Sequence, residues 1–241
     1  MNKKLKITAL LTGRGNNTLK DKNIIKITGK AVLAYPCIAS KKSKKIDNFF
    51  SSSDDNKILK ISNQYGFTSI KRPKKISKQN TKHRDVLIHA ISYLKKKEIL
   101  PDIFVVLLAN SITIKTKWID DCIKLMEKNT KITAVVPVIK NNDHHPFRAK
   151  KIDKGYLKSY IKLKKNISTN RQELPGNYFL CHNFWVIKTK EILKNKGELP
   201  WKFMGNFVMP YVVDYSLDIH EQRDVHLSKE WLIKNFKSFR K

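Results

Sequence analysis

Cysteine is scarce in this sequence, and its cysteines are not spaced as metal ligands. The 241 residues contain three cysteines, Cys37, Cys122 and Cys181, which are odd in number and far apart. This spacing excludes a disulfide framework and a cysteine-based zinc site as the basis of the fold. It is typical of a reducing compartment, so we expect a cytoplasmic protein.

Long apolar runs are also lacking. No stretch reaches the roughly 20 apolar residues that a transmembrane helix needs. The basic residues at the start are followed by an apolar run that Arg14 interrupts and that has no small-residue cleavage site, which argues against a secretory signal. We therefore expect no membrane segment, and we interpret residues 7–11 as a first, buried strand.

Acidic residues are few compared with basic ones. Asp and Glu number 20 against 50 Lys and Arg, which gives a formal net charge of +30, yet only seven of the basic residues are arginines. Such a charge is compatible with nucleic acid or with an acidic membrane surface. However, the lysines are spread from Lys3 to Lys241, and Asn and Ile are abundant as in A+T-rich genes. We interpret the charge as compositional, and nucleic acid is not the expected partner.

Apolar runs alternate with amphipathic helical patterns over roughly the first 140 residues. Strands are predicted at residues 7–11, 46–52, 67–71, 103–108 and 132–138, and hydrophobic residues make up 41% of the chain, enough for a core. This alternation predicts an α/β fold, a Rossmann-like, doubly wound, mostly parallel sheet. In such sheets ligands bind beyond the carboxyl ends of the strands, at the topological switch point.

The pattern changes at residue 141, where a charge-rich segment begins. We expect one domain over residues 1–241, with residues 141–177 forming an inserted arm or extended hairpin. Further strands are predicted at residues 178–187 and 207–213, and a closing amphipathic helix carries Trp231 and Phe236. Residues 74–82, between two predicted elements, are polar and are expected to form a mobile loop.

The turn after the first strand concentrates residues suited to phosphate. Gly13 and Gly15 flank Arg14, and Lys20 and Lys22 follow closely. Glycines permit a tight turn, which we expect to leave backbone N–H groups accessible, and the cations add positive charge. The stretch therefore predicts a polyphosphate site.

Several short blocks in this sequence resemble one enzyme family in content, order and spacing. They are Arg14–Asn23, Gly29-Lys30, Ala34-Tyr35, Ser52-Ser53-Asp54-Asp55, Tyr65-Gly66, Arg72-Pro73, Pro146-Phe147 with Ala149 to Gly155, Arg171-Gln172-Glu173-Leu174-Pro175 with Tyr178, and Ser216-Leu217-Asp218-Ile219-His220. Together they cover nearly the whole chain. The combination resembles the acylneuraminate cytidylyltransferase family, which makes CMP-activated acidic sugars for surface polysaccharides.

The resemblance implies an enzyme that activates an acidic 2-keto-3-deoxy sugar (sialic, legionaminic, pseudaminic or Kdo-like) with CTP and Mg²⁺, releasing pyrophosphate. It implies catalytic roles for Arg14, Lys22 and Asp218, and a metal site at Asp218 and His220. The nucleotide-binding residues it implies are Leu11, Gly13, Arg14, Gly15, Lys22, Asn23 and Arg72, and the sugar-binding ones are Lys151, Arg171, Gln172 and Tyr178. In relatives the arm wraps around a second subunit, so the resemblance also implies a homodimer.

Elementary chemistry supports several of these roles independently. An arginine such as Arg14 can hold phosphate oxygens bidentately, and Lys22 adds a point charge. A carboxylate such as Asp218 suits magnesium, which neutralises charge on phosphates. An arginine such as Arg171 suits the carboxylate of an acidic sugar.

The sequence also departs from the family at defined positions. The turn is one residue shorter than usual and has Asn16-Asn17-Thr18 at its core, with Lys20 as a substitute for the missing lysine. Leu108 replaces a glutamine that helps to read the sugar. His220 replaces an aspartate, and imidazole is a poor magnesium ligand, so Glu221 or Asp214 is a further candidate. Alternatives are a nucleotidyltransferase for another sugar or nucleotide, a degenerate non-catalytic relative, and a basic nucleic-acid-binding module.

Overall fold

The structure is a computed structural model, and it describes residues 4–15, 17–163 and 167–235. The strands are β1 Ile7–Thr12, β2 Lys26–Ile27, β3 Lys30–Ala31, β4 Asn48–Ser53, β5 Thr68–Lys71, β6 Ile103–Leu108, β7 Ala134–Lys140, β8 Lys150–Asp153, β9 Tyr156–Ser159, β10 Tyr178–Leu180, β11 Phe184–Lys188 and β12 Val208–Val212. The α-helices are α1 Ala34–Lys41, α2 Asn56–Gln64, α3 His83–Lys96, α4 Thr116–Lys128, α5 Thr189–Lys194 and α6 Gln222–Lys234. Short 3₁₀ helices span Lys74–Ile76, Pro146–Arg148 and Lys202–Met204.

A mostly parallel sheet forms the centre of the molecule and confirms the predicted fold class. Strand β1 pairs in parallel with β4 on one side and with β6 on the other, and β5 continues the sheet beyond β4. Beyond β6 come the antiparallel β11 and then β7, whose outer edge pairs in parallel with β12. Strands that come later in the chain lie on both sides of β1, with β4 on one side and β6 on the other. The carboxyl end of β1 is therefore the topological switch point, where ligands bind in such folds.

Each face of the sheet is covered by helices. On β6, Ile103, Val105 and Leu107 face one core, whereas Phe104, Val106 and Leu108 face the other, as the two-residue period of a strand requires. The first core is closed by α1, α2, α4 and α6, and the second by α3 and α5. Both faces of β1 and β6 are fully buried, which explains why the sequences of these strands are almost unbroken apolar runs.

Local sequence signals set the ends of several elements. The Asp55 side chain accepts a hydrogen bond from the Lys57 N–H at 2.7 Å and so caps α2, which ends just before Gly66 at a φ of +76°. Pro36 lies in the first turn of α1, where a missing N–H does not break the helix.

One sequence expectation needs correction. The strand predicted over residues 178–187 is broken: β10 and β11 lie along the same edge of β7 but are separated at Cys181, His182 and Asn183. Residues 74–82, expected to form a mobile loop, include the 3₁₀ helix Lys74–Ile76. Phe236 of the predicted closing helix lies outside the described residues.

The segment between β7 and β10 leaves the sheet. Its regular part is the antiparallel hairpin of β8 and β9, in which all eight strand residues are exposed. Ile152 is 78% exposed and Leu157, directly opposite, 73%. Within the described part of the chain, no helix combines the length and the hydropathy needed to cross a bilayer.

Candidate functional site

Two adjoining cavities open at the carboxyl ends of β1, β6 and β7. The first has a volume of about 230 Å³ and lies between the turn after β1 and the segment before α3. The second, of about 800 Å³, extends towards β10 and the start of α6. Arg14, Asn17, Lys22 and Gln79 line both cavities, so they mark the junction between them. The predicted phosphate turn therefore lies at the centre of one continuous cleft.

The backbone of this turn is held by the protein itself. The Gly13 N–H donates to the Ser52 carbonyl at 3.3 Å, and the Gly15 N–H donates to Asp54 Oδ1 at 3.1 Å. The expectation that these two N–H groups would be accessible to phosphate is therefore wrong. Positive charge at the junction must come from side chains instead, and Arg14 is placed to supply it.

Two asparagines fix the peptide that carries Arg14. Asn17 Nδ2 and Asn23 Nδ2 donate to the Arg14 carbonyl oxygen at 2.8 and 2.9 Å. Asn23 is 4% exposed and was predicted to bind nucleotide. Its amide shapes the turn, and Asn23 also lines the first cavity.

Gly13 is required by close packing. A Cβ atom added there would lie 2.9 Å from Ala109 Cβ, closer than carbon atoms normally approach. Ala109 directly follows β6, and its N–H donates to the Thr12 carbonyl at 3.0 Å. The turn is thus pressed against the neighbouring strand, which leaves room only for glycine.

Arg72, predicted to bind nucleotide, lies in the wall of the first cavity but is only 4% exposed. Its Nη2 donates to the Gly13 carbonyl at 2.6 Å and lies 3.4 Å from Asp54 Oδ1, while its Nε donates to Ser77 Oγ at 3.0 Å. Burial lowers the pKa of Arg72, and Asp54 opposes that shift. Arg72 therefore braces the turn against the loop that follows β5.

Of the three residues predicted to be catalytic, Arg14 and Lys22 lie at the junction, and Asp218 lines the second cavity. Burial lowers the pKa of Lys22, the Asp218 carboxylate opposes this shift, and the Arg14 guanidinium adds to it. Partial burial and the neighbouring Arg14 thus disfavour the charge of Lys22, whereas the carboxylates of Asp218 and Asp224 favour it. A polyanion at the junction would relieve the repulsion between Arg14 and Lys22.

Asp218 is held rigidly by the segment after β6. Asp218 forms an isolated β-bridge with Ser111, and the Ile219 N–H donates to the Asn110 carbonyl at 2.9 Å. The Leu217 N–H donates to Thr113 Oγ1 at 3.0 Å. The Asp218 side chain is 17% exposed and faces the second cavity.

The neighbouring acidic groups have structural partners. Asp224 Oδ2 accepts hydrogen bonds from the His220 and Glu221 N–H groups at 2.8 and 3.0 Å, which starts α6. Glu221 Oε1 lies 3.1 Å from Arg223 Nη2. His220 Nε2 is 3.8 Å from Asp218 Oδ2. Among the described residues there is no group of three His, Cys, Asp or Glu side chains that could hold a metal.

The predicted sugar-binding residues do not line the main cleft of this chain. Arg171 Nη1 bonds Asp143 Oδ1 at 2.5 Å, and Arg171 and Gln172 line a separate recess in the segment between β7 and β10. Lys151, on β8, is exposed, and Tyr178, on β10, is 51% exposed.

Two other predicted positions also lie outside the cleft. Leu11 is wholly buried in β1 and lines neither cavity, so its side chain belongs to the core. Lys20, the expected substitute for the missing lysine of the turn, is exposed and lines neither cavity.

An uncharged wall of the first cavity was missed at the level of sequence. His83 begins α3 and lies edge-on to Trp185, with ring centroids 4.9 Å apart. Its Nε2 is 3.5 Å from Thr12 Oγ1. Burial, reinforced by His182 and Arg72, lowers the pKa of His83 to about 4. A neutral imidazole therefore faces the cavity at physiological pH, and no local pattern around residue 83 indicates it.

The second cavity has an apolar wall that was also missed. Ile139, Leu180, Cys181 and Leu217 line it, and they come from three separate segments of the chain. Burial raises the pKa of the Cys181 thiol to about 11, so the thiol is uncharged. Only the tertiary fold brings these residues together.

Solved structures show the same fold. CMP:2-keto-3-deoxy-manno-octonic acid synthetase complexed with CTP superimposes with a TM-score of 0.69 at 11% identity, over 95% of this chain and 99% of that one. 4-Diphosphocytidyl-2C-methyl-D-erythritol synthase from Anaerococcus prevotii gives 0.64 at 16% identity, over 95% and 96% of the two chains.

This chain matches different shares of the length of its sequence relatives. N-acylneuraminate cytidylyltransferase of Escherichia coli O18:K1:H7 is 24% identical over 92% of this chain and 51% of its own. A Helicobacter pylori protein named pseudaminic acid cytidylyltransferase and UDP-2,4-diacetamido-2,4,6-trideoxy-beta-L-altropyranose hydrolase is 25% identical over 71% of this chain and 32% of its own. Post-translational flagellin modification protein B of Campylobacter coli is 25% identical over 85% of this chain and 86% of its own length.

This chain thus spans about half of the first relative and a third of the second. The family model described as cytidylyltransferase matches residues 14–231, from the arginine of the turn to Trp231 on α6. The match includes the turn, the brace at Arg72 and the Asp218 loop, so the chain belongs to the cytidylyltransferase family.

Proposed function

We propose that this chain activates an acidic 2-keto-3-deoxy sugar with CTP, giving the CMP-sugar and pyrophosphate. The observation that carries the proposal is that Arg14 and Lys22 lie at the junction of two cavities, while Asp218, which acts electrostatically on Lys22, lines the second of them. One cavity would take the nucleotide and the other the sugar. The family match and the names of the relatives supply the reaction and the acidic-sugar class.

In this proposal the anomeric hydroxyl of the sugar attacks the α-phosphorus of CTP. The new P–O bond forms as the bond from the α-phosphorus to the oxygen bridging to the β-phosphate breaks, the hydroxyl proton passes to solvent, and pyrophosphate leaves. Arg14 and Lys22 hold the phosphate oxygens and stabilise the charge that develops on them. Arg72, Asn17 and Asn23 keep Arg14 in position through the backbone of the turn.

We propose Mg²⁺ as the cofactor, held by Asp218. Magnesium is commonly bound by one or two carboxylates together with substrate phosphates and water, and a single carboxylate in the second cavity, close enough to act on Lys22, fits that pattern. When bound, the ion would neutralise charge on the phosphates. The exposed His220 imidazole is the second predicted ligand, but nitrogen suits magnesium less well than oxygen.

We also propose a homodimer in which the arm completes the sugar site of the partner. The support is that Lys151, Arg171, Gln172 and Tyr178 lie outside the main cleft of their own chain, on or beside a segment with exposed apolar side chains. A second copy would bring these residues to a cleft and cover the exposed hairpin. On this view residues 1–241 form one nucleotidyltransferase domain with residues 141–177 as its dimerisation arm.

A cytoplasmic location is proposed as well. Its support is chemical: Cys37, Cys122 and Cys181 are all buried and unpaired as disulfides, as is usual in a reducing compartment.

The direct test is pyrophosphate release by the purified protein. We expect release only when CTP, Mg²⁺ and an acidic sugar are present together, and thermal stabilisation by CTP above that by UTP, ATP or GTP. Asp218→Asn should abolish turnover. Asp214→Asn, an exposed aspartate in the same loop that lines neither cavity, is the matched control. Absence of release across sialic, legionaminic, pseudaminic and Kdo acids would refute the proposal.

A further inference from the structure

The first cavity is enclosed by the turn after β1, the loop before α3 and the segment after β6. Gly13, Asn23 and Arg72, which were predicted to bind nucleotide, line this cavity and not the second. In the proposed function it is therefore the cavity that takes CTP. A nucleotide brings three kinds of surface with it, namely charged phosphates, a flat base and the two vicinal hydroxyls of the ribose.

The ribose hydroxyls need a different partner from the other two parts. Arg14, Lys22 and Lys78 supply positive charge for phosphate, and Val86 and Leu108 supply apolar surface. A hydroxyl group both donates and accepts hydrogen bonds, and so does a side-chain amide, whereas a cation only donates and a hydrocarbon does neither. A neutral polar side chain that still has both functions free is thus the partner to look for.

Most neutral polar side chains of this cavity already have partners in the protein. The hydrogen bonds are Thr12 Oγ1 to the Leu107 carbonyl at 3.3 Å, Ser77 Oγ to the Pro73 carbonyl at 3.1 Å, the Lys78 N–H to Thr81 Oγ1 at 3.0 Å, His83 Nε2 with Thr12 Oγ1 at 3.5 Å, and the Asn17 and Asn23 amides to the Arg14 carbonyl. Among the lining residues that the structure describes, the amides of Gln79 and Asn110 alone form no side-chain hydrogen bond to the protein.

Asn110 is the better held of these two residues. Its carbonyl accepts a hydrogen bond from the Ile219 N–H at 2.9 Å, and the next residue, Ser111, is bridged to Asp218. Asn110 is partly buried beyond the carboxyl end of β6, whereas Gln79 is exposed on the loop before α3 and lines both cavities. The Asn110 amide therefore stands on a fixed backbone, with its N–H donors and its carbonyl acceptor both available.

Building on the proposed function, we infer that the Asn110 amide binds the two vicinal hydroxyls of the ribose and so selects a ribonucleotide over a deoxyribonucleotide. The amide N–H donates to one hydroxyl oxygen, and the amide oxygen accepts from the other hydroxyl. A deoxyribonucleotide would displace water from the amide and leave one of its groups without a partner. Sites that hydrogen-bond a hydroxyl group discriminate strongly against analogues that lack it.

The test measures nucleotide binding and needs no sugar. Isothermal titration calorimetry on the purified full chain, with Mg²⁺ present, gives the Kd for CTP, 2′-deoxy-CTP and 3′-deoxy-CTP. We expect each deoxy analogue to bind about 10-fold more weakly than CTP, as the loss of one hydrogen bond implies.

Asn110→Ala ties this selection to one side chain. The variant should bind CTP as weakly as the deoxy analogues, so the ratios of the Kd values should fall towards one. A purely structural loss would weaken all three nucleotides alike and keep the ratios. Asn63→Ala, at an exposed position on α2 outside both cavities, is the matched control and should keep them. Asn110→Leu, which is similar in size to asparagine, serves if the alanine variant folds poorly.

Gln79→Ala tests the other unpartnered amide, and it should keep the ratios whatever its effect on affinity. Equal affinity of the unmodified protein for all three nucleotides would overturn the inference. Ratios that survive Asn110→Ala, or that collapse in Gln79→Ala instead, would also overturn it, and the proposed function would stand. Selective CTP binding without pyrophosphate release from any acidic sugar would overturn the proposed function alone. Absence of CTP binding would overturn both.

Discussion

The Arg72 guanidinium donates a 2.6 Å hydrogen bond to the Gly13 carbonyl, across 59 residues of sequence. The same Nη2 lies 3.4 Å from Asp54 Oδ1, which in turn accepts from the Gly15 N–H. Both peptide groups that flank Arg14 are thus secured through one buried arginine. The geometry of the turn is a property of the folded domain and does not depend on bound nucleotide.

Arg72→Lys should therefore impair the turn although charge is conserved. Lysine cannot reach Gly13, Asp54 and Ser77 together, and a hydrogen bond involving a charged group contributes about 1.5–3 kcal/mol. We expect kcat/KM for CTP to fall by 10-fold or more. Arg84→Lys is the control, because Arg84 bonds the carbonyls of Ile192 and Leu193 away from the cleft. Equal loss in both variants would contradict the role given to Arg72.

Lys22→Met should reduce activity without reducing stability. Removing a positive group that stabilises a transition state commonly costs about 10²-fold or more in kcat. The folded pKa of Lys22 is below its ordinary value, so the folded state disfavours the charge at neutral pH, and its removal should leave Tm unchanged or higher. Lys20→Met is the matched control and should change neither kcat nor Tm. A large drop in Tm for Lys22→Met would show that the lysine is structural.

His83 should make the fold sensitive to mild acid. Its pKa is about 4 in the folded state, against 6.5 for an ordinary histidine. Between these values the unfolded chain binds more protons, so stability is lost as pH falls from 6.5 towards 4, by about 2–3 kcal/mol. Urea unfolding of His83→Gln should show a smaller pH dependence over this window. The exposed His226→Gln should retain the dependence of the unmodified protein.

Gly13→Ala should be rescued by a second substitution. The added Cβ would lie 2.9 Å from Ala109 Cβ, and overpacking of this kind costs typically 1–3 kcal/mol. Gly13→Ala combined with Ala109→Gly removes that contact and should recover part of the stability and of the CTP affinity. Double-mutant cycles from denaturant unfolding measure the coupling. Strictly additive losses would mean that another feature of Gly13 matters.

The proposed dimer predicts complementation between two inactive variants. Asp218→Asn removes the carboxylate of the second cavity, and Arg171→Ala removes an arm residue that pairs with Asp143 in the free chain. If each site uses the arm of the other subunit, a heterodimer contains one intact site. After mixing and subunit exchange, we expect about a quarter of the activity of the unmodified protein. Sedimentation velocity checks the dimer itself, and a monomer without recovered activity would contradict the arrangement.

The sequence predicted the parts of the structure that depend on local pattern. Strands β1 and β6 could be predicted because strands buried on both faces are apolar throughout. The turn could be predicted from Gly13, Arg14 and Gly15. The break at residues 181–183 could not be predicted, because only two polar residues, His182 and Asn183, interrupt the apolar run there. The occupied Gly15 N–H depends on Asp54, 39 residues away, and the neutral His83 depends on burial. Long-range partners of this kind leave no local signal.

Strand β7 contacts three other strands, and this has a consequence for how the cleft can change. It pairs with β12 along one edge and with β10 and β11 along the other, so the segments that supply Leu180 and Leu217 are both joined to it. The turn at Arg14 belongs to β1 and is braced from β4 and β5, on the far side of β6. The segment after β6 connects these two supports, because Ala109 packs against Gly13 while Ser111 and Thr113 hold the backbone of Leu217 and Asp218. A change in that short segment would therefore displace the Arg14 turn and the Asp218 loop together, whereas a change along β7 would reach the Asp218 side of the cleft first.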